Sequence, residues 1–302
     1  MPEPFPADEF SYASDNDPWL KRRVIHLVEW LTGAPYMRWL YEDYLAWPPK
    51  NETLWESGVK RLEIDLRYDK AKLARWPKTG PLVVVCNHPF GVLDGLAACC
   101  IVGRARPDFR VLANAVLTRA EELHNYLLPI SFDETDAATE TNLKSRAGAK
   151  AHLLNGGCIL VFPSGAVSTT PHWWHKRAVD PEWKTFAARL VVQTRASVAP
   201  LFFPGQNGML FQLVSHVSLT LRLALLFYEL HNKIGGVIPV GVGEVVPYES
   251  VAAVKDRKAQ TQLLRDLTYA LDGSIAAPKK PKRRRPRSAP PLGVRVPGSA
   301  AP

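Results

Sequence analysis

Acidic residues are missing from the end of this chain: no Asp or Glu follows Asp272. Eight basic residues do, namely Lys279, Lys280, Lys282, Arg283, Arg284, Arg285, Arg287 and Arg295. The formal net charge is +9, so nearly all of it belongs to this tail and the rest is close to neutral. That pattern argues against a basic field spread over a nucleic-acid-binding fold. Cysteine is also scarce, with four in 302 residues: Cys86, Cys99, Cys100 and Cys158. Two of these are adjacent and no pair has zinc-ligand spacing, which excludes a disulfide framework or a zinc module. Cys86 and Cys158 sit in apolar runs and read as small buried hydrophobes in a reducing cytosol. A clean membrane-spanning run is lacking too. The most apolar long stretch, Met209 to Tyr228, is interrupted by Gln212, His216 and Arg222. The first ten residues have neither a basic nor an apolar region of the secretory kind, so no signal peptide is expected.

What is present is enough apolar material for one large domain or two modest ones, 46% of the residues. Asp17-Pro18 starts a helix with apolar residues at helical spacing from Trp19 to Leu31, closed by Gly33-Ala34-Pro35. An aromatic-rich helix follows over Tyr36 to Leu45. This pair reads either as a hairpin packed on the core or as an interfacial element, with Lys21, Arg22 and Arg23 toward lipid phosphates.

From about residue 50 the pattern alternates. Strands are expected at Arg61–Tyr68, Leu82–Cys86, Arg110–Ala113, Leu127–Phe132, Cys158–Phe162, Val198–Phe203 and within Gly236–Glu244. Helices are expected at Leu93–Val102, Thr118–Leu128, Thr141–Asn155, Trp183–Arg195, Leu219–Asn232 and Val254–Leu271. The fold class is therefore α/β: a single layered domain over 50–272 with a mixed sheet flanked by helices. An N-terminal helical region, 1–49, precedes it. A disordered tail rich in Pro, Arg and Lys, 273–302, follows.

Chemistry concentrates at two strand ends. The apolar run Leu82–Cys86 stops at Asn87-His88-Pro89, then come Gly91 and Asp94. Five residues separate His88 from Asp94, enough for the loop to fold back and bring carboxylate to imidazole. The carboxylate would fix the tautomer and support the imidazolium formed on proton uptake. The helix start beside Asp94 offers free N–H groups to an oxyanion or phosphate. Alone, this pair is equally what a structural histidine at a strand end shows. The second run, Cys158–Phe162, ends in Phe162-Pro163-Ser164-Gly165, again a Pro/Gly turn, and two such turns in one sheet can wall one site. A nucleophilic Ser164 is disfavoured, because a hydrolase elbow needs glycine two positions earlier, where Phe162 stands.

Together, NHPFGVLDG and VFPSGAVS resemble the glycerolipid acyltransferase superfamily (PlsC-type). Its signature is a histidine and an aspartate with four residues between them, then a Phe-Pro-Glu-Gly turn. The match is closer to the branch called hemolysin-like or lyso-ornithine-lipid acyltransferases, with five residues between the pair. Trp183 with Phe186, and the stretch from Pro200 to Asn207, resemble further blocks of that branch, as do Arg222–Leu226 and Glu229–Lys233. The resemblance covers roughly residues 10 to 250, with its core motifs in 81–207. It implies O-acyl transfer from acyl-CoA or acyl-carrier protein to the hydroxyl of a lyso-lipid, with His88 as general base and Asp94 its orienting partner. Phe162, Pro163, Ser164 and Gly165 would line the acceptor site. No cofactor and no metal is implied. Ser164 replaces the family's Glu, and Leu128–Phe132 lacks the arginine of an intermediate motif. The extra residue between His88 and Asp94 and the Ser164 departure favour an acceptor other than glycerol phosphate.

Other residues carry alternatives. His172, Trp173, Trp174, His175, Lys176 and Arg177 form either an exposed aromatic loop or a contact to the membrane, with Lys176 and Arg177 on substrate phosphate or carboxylate. Asn207 either stabilises its own turn or touches substrate. Arg222 either snorkels or pairs with an acid, and a head-group contact is a third reading. The basic tail suits an anionic membrane surface, at roughly 1 kcal/mol per residue. No specific nucleic-acid partner is expected. The expected location is cytoplasmic, peripheral at the inner face of the cell membrane. Rival readings are a non-catalytic lipid-binding protein on the same scaffold and a serine lipid hydrolase using Ser164.

Overall fold

The computed structural model describes residues 19, 22, 23, 34–133 and 135–274. The expected tail and most of the first helix lie outside these residues. The second expected helix is present as α1, Ala34–Ala46. It lies against the far end of α8, Leu219–His231, where Tyr36 meets His231 edge-on with ring centroids 5.5 Å apart.

Seven strands form one mixed sheet. They are β1 (Asp65–Tyr68), β2 (Leu82–Cys86), β3 (Phe109–Asn114), β4 (Leu127–Ile130), β5 (Cys158–Val161), β6 (Ser197–Phe202) and β7 (Val237–Val242). Their order is β1-β7-β6-β2-β5-β3-β4, and all neighbours run parallel except β6 and β7. Central β2 is buried at every residue, as its unbroken apolar run requires when both faces of the sheet are covered. Its side chains alternate between two cores. Leu82, Val84 and Cys86 join one face, packed under α4 (Val92–Ala105) through Ala97, Ala98 and Ile101. Val83 and Val85 join the other, under α5 (Asp136–Leu154), α6 (Phe186–Thr194) and α10 (Arg257–Tyr269). A third, smaller cluster of Val167, Phe211, Leu225 and Leu226 joins the turn after β5 to α7 (Met209–Ser215) and α8.

Two expected elements are corrected. Residues 61–64 are not strand: a Thr53–Glu56 capping box starts α2, Leu54–Arg61, and Glu63 turns the chain with a positive φ of 53°. Arg61 is instead drawn inward to Asp43, 3.0 Å away, so the strand begins only at Asp65. Residues 118–128 are not one helix either. Two short 3₁₀ turns, Ala115–Arg119 and Glu121–Leu123, lead into β4, because Leu127 and Leu128 pair with Val111 and Leu112. Sheet pairing overrides a local helical pattern there. The sequence reading also had no place for α2, α3 (Lys70–Ala74), α7 or α9 (Tyr248–Ala252).

Candidate active site

The register of the sheet assembles the site. Val85 of β2 pairs with Val161 of β5 on one side, and Cys86 with Leu201 of β6 on the other. All three strands run parallel, so the segments that leave their C-terminal ends emerge side by side, where open α/β sheets carry their sites. Asn87 extends the β2–β6 pairing with its side chain. Its Nδ2 donates to the Phe203 carbonyl at 2.8 Å and its Oδ1 accepts from the Phe203 N–H at 2.7 Å. This clamp fixes the backbone that enters His88.

His88 Nδ1 lies 2.9 Å from Asp94 Oδ1. Both atoms are buried, and neither has another hydrogen-bond partner among the described residues. Nδ1 is wholly buried, while the His88 side chain keeps 19% of its surface open, so the open part is the rest of the ring. Asp94 has no exposed surface. Its other oxygen accepts the N–H groups of Phe90 (2.7 Å) and Gly91 (3.3 Å), which caps α4 and closes the loop. Those two N–H groups are therefore committed to Asp94.

The loop is pinned from outside as well. Gly91 takes φ +87°, and a Cβ there would stand 2.8 Å from Leu226. Gly205, at φ +109°, leaves room for the Phe90 ring, whose face carries Lys233 Nζ at 4.8 Å. Lys233 is in turn 3.7 Å from buried Glu229. Burial pulls the Lys233 ammonium below its usual pKa, partly offset by Glu229 and Asp94.

The Phe162 turn packs beside His88: the Phe162 ring sits 4.4 Å from the imidazole, centroid to centroid, tilted by 38°. Gly165 turns at φ 66°, and the Pro163 carbonyl accepts the Lys184 N–H at 2.9 Å. The Ser164 hydroxyl is buried and donates to the Ala166 carbonyl at 2.9 Å, so it is spent within the turn rather than poised as a nucleophile. Asn207 reaches the same loop, donating from Nδ2 to the Phe90 carbonyl at 3.3 Å, with its Oδ1 buried and unpartnered. Arg177 pairs with Asp272 at 2.7 Å and lines, with Asn87, Pro89 and Ser168, a cleft of about 220 Å³. Lys176 is exposed and lends only its carbonyl, to Gln206 Nε2. The neighbouring rings stack on one another, His172 on Trp174 with centroids 4.7 Å apart.

Sequence reasoning missed Asp180. This carboxylate is 3% exposed and sits behind the histidine. One oxygen accepts the His88 backbone N–H at 3.1 Å and the Ser168 hydroxyl; the other accepts Trp183 Nε1 at 2.9 Å. The Ser168 N–H donates to the His88 carbonyl at 2.7 Å, tying both strand-end turns to the same backbone unit. Burial alone would push the His88 imidazole down; Asp94, and then Asp180, outweigh it and hold its pKa above the usual histidine value. In sequence, Asp180 before Pro181 reads only as a turn starter.

A carboxylate-backed imidazole, open at one edge and facing an aromatic wall, can take a proton from a hydroxyl bound there. The chain belongs to the acyltransferase family, whose model matches residues 40–278. It is an acyltransferase enzyme. Two relatives are lyso-glycine lipid O-acyltransferases. That of Phocaeicola vulgatus is 26% identical over 229 residues, covering 71% of this chain and 78% of that protein. That of Bacteroides thetaiotaomicron is 24% identical over 233 residues, covering 73% and 83%. A solved structure, the 1-acyl-sn-glycerophosphate acyltransferase PlsC from Thermotoga maritima, aligns with a TM-score of 0.45 at 13% identity, covering 84% of this chain and 96% of that one.

Proposed function

We propose that this enzyme transfers a fatty acyl chain from a thioester, acyl-CoA or acyl-carrier protein, to the hydroxyl of a lyso-lipid. The observation that carries the reading is the His88–Asp94 pair facing the Phe162 turn. The two relatives, each named for O-acylation of a lyso-glycine lipid, support the acceptor class. In this mechanism His88 removes the acceptor hydroxyl proton while the oxygen attacks the thioester carbonyl. Asp94 supports the imidazolium. Collapse of the tetrahedral intermediate forms the ester and breaks the carbon–sulfur bond, and the proton passes from His88 to the departing thiolate. Phe162 and the turn through Gly165 flank the acceptor, and Asn207 steadies the loop from behind.

Work at a bilayer surface fits the exterior beside this site. Trp173 (69% exposed) and Trp174 lie on a loop joined to α7 through Thr170, which meets Gln212 and His216 at 3.0 Å each. On and just after α7, Met209, Leu210, Leu213 and Val217 (84% exposed) are also open to solvent. Among the described residues no helix is long and apolar enough to cross a membrane. The reading is therefore peripheral attachment to an anionic inner membrane face, with the basic tail assisting.

The direct test supplies labelled acyl-CoA and acyl-carrier protein with a panel of lyso-lipids that includes lyso-glycine lipid. Labelled diacyl product with one acceptor is the expected outcome. Free fatty acid released without any acceptor would instead mark a hydrolase.

The raised His88 pKa sets a pH dependence. A base whose pKa lies above the usual value stays protonated, hence inactive, to higher pH. The acid limb of kcat/KM is therefore expected to have its midpoint above that of an ordinary histidine. Asp94→Asn removes the leading cause of the upward shift, so in that variant the midpoint should move to lower pH. A wild-type midpoint below the ordinary value would contradict this assignment of the base.

A further inference from the structure

Arg222 is the unexplained charge at this site. It lies in the first turn of α8, in a run from Leu221 to Phe227 that is otherwise apolar. Its Nη2 donates to the Val167 carbonyl at 2.5 Å, and the guanidinium lies over the Phe211 ring, 5.7 Å from its centroid. Val167, Phe211, Leu225 and Leu226 make its surroundings apolar. The arginines buried elsewhere each have an acid: Arg61 has Asp43 at 3.0 Å, and Arg106 has Asp108 at 2.7 Å. Arg222 has none among the described residues. A partly desolvated cation without a counter-charge is costly to keep, and one carbonyl satisfies one of its five donors. Its place is also specific. Val167 precedes Ser168, whose N–H is bonded to the His88 carbonyl, so the guanidinium is moored to the turn that holds the base.

We infer that Arg222, moored to the Val167 carbonyl beside His88 and lacking an acid among the described residues, receives the anionic head group of the acceptor, a carboxylate or a phosphate monoester. The inference rests on the lyso-lipid reading above and specifies the head group. The donors that the Val167 carbonyl leaves on this planar guanidinium match either oxyanion in two-point contact. Burial depresses the Arg222 pKa, and its charge in turn pushes the His88 imidazole down. A bound anion offsets that push, so acceptor binding would make His88 a stronger base when the hydroxyl arrives.

Binding is read without turnover, so the result does not depend on the acyl-transfer reading. N-dodecanoylglycine, dodecyl phosphate and uncharged N-dodecanoylglycinamide are titrated by calorimetry, below their micelle concentrations, into wild type, Arg222→Gln and Arg222→Lys. Wild type is expected to favour an anionic probe over the amide by about 10- to 100-fold. The stronger of the two anions identifies the head group. Arg222→Gln should lose that preference while its affinity for the amide stays within about twofold, as fits loss of one charge-assisted contact. Arg222→Lys, which keeps the charge without the fork, should fall between them. Equal affinity of wild type for all three probes, or an undiminished anion preference in both variants, overturns the assignment. Should Arg222→Gln not fold, an undiminished preference in Arg222→Lys overturns the two-point contact, and a reduced one supports it. A separate assay of labelled acyl transfer to lyso-lipids tests the reaction class: anion binding with no transfer would sink the acyltransfer mechanism and leave the anion site standing.

Discussion

Replacing His88 by alanine is expected to lower kcat for acyl transfer by about 10²- to 10⁴-fold, the usual contribution of a positioned general base. The substitution is a clean probe because the fold holds this residue by its backbone. Its N–H goes to Asp180 and its carbonyl accepts from Ser168, and neither bond uses the imidazole. Asn87 and Phe203 keep the strand end in register independently. What alanine removes is the ring, its stack on Phe162 and its approach to Asp94. The thermal midpoint should therefore change little while turnover collapses, with acceptor KM far less affected. The measurement is steady-state transfer of labelled acyl groups at saturating acceptor, alongside circular-dichroism melting. Activity within about fivefold of wild type would remove His88 from the mechanism, since losing a base costs far more than that. Asp94→Ala is a poorer probe, because it also strands the Phe90 and Gly91 N–H groups that the carboxylate caps.

The legible part of the site is the part written in local spacing. His88 and Asp94 are joined by one short loop, and both flanking strands announce themselves as buried apolar runs that end in Pro/Gly turns. That Phe162 should face His88 needed only β2 and β5 to be parallel neighbours, and they are. Asp180 was not legible, because its contact to His88 spans 92 residues and no periodicity marks it. In sequence the Met209–Tyr228 stretch is an apolar run interrupted by Gln212, His216 and Arg222, with a helix expected from Leu219. The structure breaks it into two helices at Ser218, whose hydroxyl caps α8 by accepting the Leu221 N–H at 3.3 Å. That break sets Arg222 into the first turn of α8, against the Val167 turn, a placement hydrophobicity alone does not reveal. Charge density in the sequence singles out Lys176 and Arg177; the structure leaves Lys176 exposed and pairs Arg177 with Asp272.

Asp180→Ala is expected to be the most damaging single change to the architecture of the site, at about 3–5 kcal/mol of folding stability, because it strands three buried donors at once. Alanine leaves the His88 N–H, the Ser168 hydroxyl and Trp183 Nε1 buried without an acceptor. Each stranded donor costs about 1–3 kcal/mol before local relaxation. Relaxation is limited here, because Trp183 is packed in the core and Ser168 is tied through its backbone to His88. Asp180→Asn keeps the shape and one acceptor oxygen but turns an NH₂ toward Trp183 or toward His88 and Ser168, so it should cost less than alanine. It also takes away the smaller of the two carboxylate fields that raise the His88 pKa. The asparagine variant should therefore show an acid limb of kcat/KM moved to lower pH, by less than Asp94→Asn moves it. Urea unfolding of both variants and the pH profile of the asparagine variant separate the two roles. If Asp180→Ala unfolds within about 1 kcal/mol of wild type, the three bonds do not hold the turns together, since a single stranded buried donor already costs that much. If the acid limb stays fixed in Asp180→Asn, Asp180 shapes the site without tuning its base.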